Sequence, residues 1–426
     1  MVARVNPLLL RAIADYFMGR RAMRVLMVSR TYTHPHDMGN RKRVYNECKK
    51  MKELGWQIDF LYIGSRLACD ISAMQDFFGK DHLFFAEWNE IKLKYELKKE
   101  WRNKLDRCGI TKYLSVPYDA DEWYSDSLED GLALLCKKRG KKFEEIDQLY
   151  DAVWVQYFFY SKFLELLPKK ILKIIDTIDR FSFRNRMYQK DGRIPDFYYT
   201  IPKEERKALS RADVAISIQN QEEEWFNKLL KGTNTQVITM GDVVELNPAS
   251  FYPQKCYGFI GADNKPNELA LDWFIKMVLP YVKGQEPESE FVIAGGICKK
   301  IKDSTLYKKL GRVENLNDFY GNIRCAVNPI LHGTGLNIKG IETLSYCKPL
   351  VSTSVGAKGL KAAKDAMFVA DSPKEFAEAI LTVLREESMC KGMSLAAEKF
   401  IIDYNKENES VLMRIEELVN KKKKCT

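Results

Sequence analysis

Hydrophobic residues in this chain are arranged in two alternating textures. Short unbroken apolar runs occupy 23–29, 56–63, 152–157, 171–178, 213–218, 236–240, 256–261, 290–295 and 325–330. Runs of that length read as strands buried on both faces, as in a parallel sheet. Between them the apolar positions recur at helical spacing. Val44, Cys48 and Met51 mark a helix over 41–54 that Gly55 ends, and Pro202 opens another over 202–212. Further helices are expected at 221–230, 267–282, 336–346, 373–385 and within 396–420. Strand and helix in alternation predict βαβ units. The fold class is therefore α/β, with two Rossmann-like domains over 23–241 and 256–400. A proline-bearing linker at 242–255 contains Pro248 and Pro253. An N-terminal extension (1–22), a terminal helix (401–420) and a basic tail (421–426) complete the division. Residues 65–150 carry helical spacing near 91–108 and 128–149 but no motif.

Composition narrows the partners. The 426 residues are 46% hydrophobic and 30% charged, with 68 Lys+Arg against 58 Asp+Glu and a net charge of +10. That balance favours anionic partners: sugar nucleotides, anionic lipid or nucleic acid. Nucleic acid is the weakest, because the basic residues are dispersed and no recognition motif accompanies them. The ten cysteines form no CxxC pair, which argues against a structural zinc or disulfide framework and for a reducing cytoplasm. No stretch reaches the ~18 uncharged apolar residues of a membrane span, and no secretory signal pattern is evident. Two features leave room for association with the cytoplasmic face of an anionic membrane. Lys421 to Lys424 read either as a frayed soluble tail or as a contact with acidic lipid. Leu9, Leu10, Ile13 and Phe17 share one helical stripe, open to three readings: a packed extra helix, an interfacial anchor or a disordered extension.

The stretch with most chemistry is 325–360. A strand stops at His332-Gly333-Thr334-Gly335, where glycines let backbone approach a ligand closely, and a helix begins near Leu336. Its first amides and its dipole would place positive charge in the turn. Lys339 and Glu342, three apart, share one face, while Ile338, Ile341 and Leu344 turn largely the other way. A diphosphate suits the turn and Lys339, and Glu342 could accept hydrogen bonds from a ribose. The residues alone also fit an ordinary βα turn with a solvated Lys–Glu pair.

The run GTGLNIKGIETLSYCKPLVSTSVGAKGL, from Gly333 to Leu360, resembles the donor-site segment of family-four glycosyltransferases. The resemblance implies the GT-B fold: two facing Rossmann-like domains, with a C-terminal helix crossing back onto the first. It implies a sugar transferred from a nucleotide-diphosphate donor, a UDP- or GDP-sugar, to a saccharide, lipid-linked or protein acceptor. Retention of configuration is expected, with no cofactor and no metal. Gly333, Thr334, Gly335, Asn337, Lys339 and Glu342 would hold the donor, and Val313 and Leu316, in LGRVENLNDFY, would border the base. Lys339, Glu342 and Asp179 are the candidate catalytic residues. The loop 30–40 usually carries a Gly-Gly pair under the donor phosphates. Here it reads Met38-Gly39-Asn40, so Gly39 and Asn40 are the matching candidates. The family's strand ending in His-Asp reads Ile178-Asp179 here. His34, His36 and Arg184 are acceptor-side candidates, with loop-structural or solvated roles equally open to them. The first Glu of the wider family's E-x7-E pair is Thr334, eight before Glu342. Asp119-Ala120-Asp121 has metal-motif lettering but lies in the segment without a motif. Two other classes remain open: an inert GT-B protein that binds nucleotide or scaffolds a partner transferase, and a sugar-nucleotide epimerase, which would need paired acid/base groups.

Overall fold

The computed structural model describes residues 21–36, 38–86, 93–124, 126–190, 195, 198–331 and 338–425. The chain divides into two compact units, 1–240 with 410–426, and 241–409. In the first, the elements run β1 Arg24–Ser29, α1 Gly39–Glu53, β2 Gln57–Ile63, α2 Ile71–Phe78, β3 Leu83–Ala86, α3 Leu93–Arg107, α4 Ser127–Lys138, α5 Ile146–Leu149, β4 Ala152–Gln156, β5 Leu172–Asp176, α6 Arg184–Lys190, α7 Pro202–Leu209, β6 Val214–Ser217, α8 Asn220–Leu229 and β7 Gln236–Thr239. The second holds β8 Cys256–Ile260, α9 Lys265–Trp273, α10 Leu279–Gln285, β9 Glu290–Ala294, β10 Lys308–Gly311, α11 Leu316–Tyr320, β11 Cys325–Asn328, α12 Ile338–Ser345, β12 Leu350–Ser352, β13 Met367–Val369 and α13 Pro373–Arg385. A last helix, α14 Glu387–Cys425, is 39 residues long and carries the chain from the second unit to the first.

Each unit is built on one parallel sheet. The first has seven strands in the order β3-β2-β1-β4-β5-β6-β7, and the second has six, β10-β9-β8-β11-β12-β13. The continuous apolar runs do become buried strands: β1, β4 and β8 are covered on both faces by helices, which is why their sequences do not alternate. Strand order reverses beside β1 in one sheet and beside β8 in the other. Ligands of such sheets bind at the strand C-termini next to these reversals.

Several expectations change. The helix after β1 starts at Gly39, so Gly39 and Asn40 form its first turn and are not loop residues. The reason is local: Met38 is extended, and its carbonyl already accepts from Lys42 N at 2.9 Å, so the helical ladder begins there. Strands β3, β10 and β13 were not expected: β3 lies in the segment without a motif, β10 reads KKLG and is no apolar run, and β13 is only three residues long. The linker segment has no regular structure but is fastened. Gly241 N donates to Asn408 Oδ1 at 2.9 Å, Asp242 N to Tyr404 Oη at 2.7 Å, and Asn247 N to the Ser345 carbonyl at 2.8 Å. The frayed-tail reading of the terminal lysines is overturned as well. They continue α14, with Lys422 bonded to Asp213 and Lys423 paired with Asp151 at 2.7 Å. Leu412, Ile415 and Val419 of the same helix are buried in the first unit's core, so apolar packing fixes the helix that carries those charges. No helix among the described residues is long and apolar enough to cross a membrane. The N-terminal stripe of Leu9, Leu10, Ile13 and Phe17 lies outside the described residues.

Candidate functional site

In the second unit the tips of three strands are drawn together by backbone bonds. Gly261 N donates to the Ala294 carbonyl at 3.0 Å, Gly295 N to Gly311 at 2.7 Å, and Ile297 N back to Gly261 at 3.1 Å. Gly295 has φ +91°, and a Cβ there would lie 2.3 Å from the Gly261 oxygen, so only glycine permits this approach. The loop after β8 then turns into α9, with Asn264 capping its first turn by accepting from Asn267 N at 3.0 Å. Asn267 donates from Nδ2 to the Ala262 carbonyl at 2.8 Å and presents Oδ1 to the Lys339 ammonium.

Lys339 reaches that point from α12. The helix buries Ile341 and Leu344, and its Gly340 lies so close to Leu360 that a Cβ would stand 2.4 Å from that side chain. Packing on that face leaves Lys339 and Glu342 together on the more open flank, as the three-residue spacing requires. The Lys339 Nζ also sits 4.7 Å over the Phe259 ring. Burial pushes its ammonium down to about 7, an effect that nearby Glu342 partly opposes. Glu342 accepts from the Tyr320 hydroxyl at 3.1 Å, and Tyr320 stacks on Tyr346 with centroids 4.4 Å apart. Burial, then the Glu342 charge, raises the Tyr320 phenol well above its ordinary value. Tyr320 ends α11, and Val313 and Leu316 pack half-buried against the cluster containing it.

The structure therefore gathers Lys339, Glu342, Val313 and Leu316 at one end of one sheet. Gly333, Thr334, Gly335 and Asn337 lie outside the described residues. Two participants were not singled out from sequence, Asn267 and Tyr320. The first had a legible signal, since an Asn three residues after another Asn opens a helix. The second closes the motif LGRVENLNDFY. Lys265, the loop's lysine, is exposed and pairs with Glu268 at 3.0 Å.

The first unit's strand tips are organised differently. Arg43, on α1, is fully buried and forks onto Asp176 at the end of β5, with Nε–Oδ2 2.8 Å and Nη2–Oδ1 3.1 Å. Its Nη2 also reaches Glu47 at 3.0 Å and the Met240 carbonyl at 3.2 Å. Gln156 donates to Glu47 at 2.7 Å. Burial, then the neighbouring Asp176 charge, holds the Glu47 carboxyl well above the usual range.

Asp179 and Arg184, separate candidates in the sequence, form one ion pair at 2.5 Å. Asp179 also accepts from Arg180 N at 3.0 Å. Burial and the Asp179 charge push Glu222 well up beside it. Ile178, where the resemblance has histidine, takes φ 59°, and Tyr157 at the end of β4 takes φ 66°. Left-handed backbone at a β-branched residue is strained, and strain of this kind gathers at functional edges. Asn40 Nδ2 donates to the Tyr157 hydroxyl at 3.3 Å. His36 stacks on Tyr45 at 4.4 Å, and His34 packs edge-on to Tyr45 at 5.3 Å, so both histidines belong to an aromatic cluster with Phe77. Burial lowers the His34 imidazole, and His36 adds to that shift. Asp119 and Asp121 are taken up by bases, Lys98 at 2.7 Å and Arg211 at 2.6 Å.

Comparison with known proteins bears on the second unit's sequence and on the fold. Residues 254–386 match the family described as glycosyl transferases group 1. An uncharacterized 44.6 kDa protein in the cps region of Klebsiella pneumoniae is 26% identical over 157 residues, 34% of this chain and 40% of that protein. The chain thus matches about two fifths of that relative's length. Among solved structures, TarM overlays with a TM-score of 0.64 at 12% identity, covering 94% of this chain and 99% of its own. The pneumococcal O-GlcNAc transferase GtfA, in complex with UDP and GlcNAc, gives 0.62 at 11% identity, covering 94% and 99%. Sucrose-phosphate synthase from Thermosynechococcus elongatus gives 0.61 at 11%, covering 95% and 100%. At these identities the likeness establishes the fold, which is GT-B.

Proposed function

We propose that this chain is a nucleotide-sugar-dependent glycosyltransferase that retains anomeric configuration and works without a divalent metal. The observation that carries the reading is the convergence of Lys339, Asn267, Glu342 and Tyr320 at the strand tips of the second unit. Charge develops on the departing diphosphate as the C1–O bond breaks. A fixed ammonium aimed there is worth most where water is thin, and Lys339 is half-buried with its ammonium over the Phe259 ring. Glu342, held on one side by Tyr320, suits the ribose hydroxyls. In a retaining front-face route, the acceptor oxygen bonds to C1 and its proton passes to the departing phosphate oxygen. No protein carboxylate then needs to act as nucleophile.

UDP is the favoured nucleotide, because GtfA was solved with UDP and GlcNAc and an Anabaena neighbour, HepE, with UDP and glucose. A polysaccharide or related glycan is the favoured acceptor, supported by the cps-region relative. The acceptor side falls to the first unit, where Asp179 and Arg184 stand at the end of β5. A thermal-shift series with UDP, GDP and their sugars, run with and without EDTA, tests the reading. A nucleotide at ~100 times its dissociation constant should add ~2.7 kcal/mol of stability, unchanged by EDTA. Absence of any shift, or a shift that EDTA abolishes, overturns the donor or the metal-independent part respectively. The configuration of the product at C1, read by NMR coupling, decides retention.

A further inference from the structure

The described part of residues 65–150, which carries no motif, contains a surface at odds with a water-facing helix. On α3, Leu97 and Trp101 lie one turn apart and are 63% and 62% exposed. The turn that follows adds Ile110, Leu114 and Tyr113, exposed by 44%, 59% and 85%. These are among the largest exposed apolar side chains of the unit, and they are neighbours in a single helix-turn segment. The inner face of the same segment is firmly held. Arg102 is buried, forks onto Glu122 with Nη2–Oε2 2.8 Å, donates to the Val116 carbonyl at 2.8 Å and stacks over Tyr118 at 3.7 Å. Lys98 pairs with Asp119 at 2.7 Å. Arg102 is thus turned inward and tied down, while Leu97 and Trp101 are turned out.

The rim of the stripe is basic. Lys99, Lys104 and Arg107 are exposed around it, against exposed Glu100 and half-buried Asp106, which accepts from the Thr111 hydroxyl, on the acidic side, among the described side chains of α3. Lys104 Nζ lies 5.7 Å from the Trp101 ring centroid. Shallow apolar residues with a tryptophan and a tyrosine, ringed by Lys and Arg, suit the headgroup layer of a bilayer carrying negative charge. A second copy of this chain would bring like charges rim to rim, which disfavours self-association through this face.

We propose that the outward face of α3 and the following turn, built on Leu97, Trp101, Ile110, Tyr113 and Leu114, is a peripheral contact with an anionic membrane surface. The contact is joined to the acceptor side. Asn185 and Gln189 of α6 donate to Ser115 Oγ at 2.6 Å and to the Thr111 carbonyl at 3.2 Å, and α6 begins with Arg184, the partner of Asp179. Where the transferase reading holds, the corollary is a lipid-linked acceptor, presented to that edge from the bilayer.

Flotation of the full chain with phosphatidylcholine vesicles, with and without phosphatidylglycerol, tests the proposal. Binding is expected only where phosphatidylglycerol is present, and it should weaken with salt. Trp101→Glu with Leu97→Glu should lower partitioning at least about tenfold. Lys99→Ala and Lys104→Ala should each lower it by about fivefold. All of these positions are exposed, so thermal unfolding and any UDP-induced shift should stay as in the wild type. No flotation with either vesicle, or flotation unchanged by the Glu substitutions, overturns the proposal. So does a wild-type dimer that Trp101→Glu converts to monomer, because the face would then serve a second copy. Absence of vesicle binding by the wild-type chain, with its UDP binding intact, counts against the membrane face alone. Vesicle binding without any nucleotide response counts against the transferase reading alone.

Discussion

The strand tips of the two sheets treat charge in opposite ways. In the second unit, Lys339 leans on neutral partners, an amide oxygen and an aromatic face, with Glu342 on the same flank of α12. In the first unit the strong charges at the strand ends are matched among themselves, Arg43 with Asp176 and Arg184 with Asp179. An ammonium solvated by an amide has attraction in reserve for an incoming anion. A guanidinium already forked onto a carboxylate does not. On the proposed function, the second unit's edge would take the diphosphate and the first unit's edge a ligand recognised through hydroxyls.

The comparison breaks most sharply at Arg43. If its pairing is structural, Arg43→Ala leaves Asp176 buried without its partner and should cost ~3–5 kcal/mol in urea unfolding. Loss of nucleotide affinity with stability unchanged would instead make Arg43 a ligand contact and erase the contrast. The next effect belongs to the other edge. Lys339→Ala should weaken nucleotide-diphosphate binding or turnover at least tenfold, ~1.4 kcal/mol or more, with the unfolding midpoint held. Calorimetric titration with UDP and GDP measures it, and equal affinity in both proteins would remove Lys339 from the site.

Lys339 also gives the contrast a pH signature. Its ammonium sits at about 7 in the free protein, whereas a bound diphosphate favours the charged form. Binding above 7 must then take up a proton, so affinity is greatest below 7. It falls as pH rises, by up to about tenfold per unit. Lys339→Arg, always protonated, should flatten that profile. Proton uptake read from titrations in buffers of different ionisation enthalpy provides the check, and a flat wild-type profile would count against a desolvated lysine.

Much of this was legible beforehand, for reasons that can be located. The parallel strands announced themselves because both faces are covered, so β1, β4 and β8 contain almost nothing but apolar residues. The shared flank of Lys339 and Glu342 followed from helical spacing alone. The partners Asn267 and Tyr320 did not, because they come from 72 and 22 positions away and meet the site only through sheet topology. Gly39 and Asn40 were misplaced because the extended Met38, which has no capping side chain, starts α1 without a sequence signal. The outward apolar face of α3 was invisible because helical periodicity reveals a stripe, not which way it points.

A smaller effect is expected at Tyr320. Tyr320→Phe removes the hydroxyl that holds Glu342 while keeping the ring stacked on Tyr346, so the loss should be about 1 kcal/mol. If Glu342 serves the ribose, a UDP-sugar should lose that affinity while inorganic diphosphate, lacking a ribose, loses none. Equal losses for both ligands would shift the role of Glu342 from the ribose to the phosphates.

The finest test concerns Glu47. One guanidinium serves two carboxyls in a fully buried space, and burial with the Asp176 charge keeps the proton on Glu47 well above its ordinary value of 4.5. The native state therefore holds a proton that the unfolded chain gives up above ~4.5. Stability contributed by that proton is full below this pH and declines as pH rises toward the folded value. Glu47→Gln replaces the neutral acid with a neutral amide of the same shape that still meets Gln156. It should change stability by less than ~0.5 kcal/mol near pH 5. Above that it should be the more stable protein, with a flatter pH profile. Asp176→Asn, which removes the other carboxyl from the Arg43 fork, should be clearly destabilising at every pH. If instead the two substitutions behave alike, the pair shares its charge evenly. The first unit's edge would then be a reserve of negative charge, not the neutralised surface that separates it from the edge carrying Lys339.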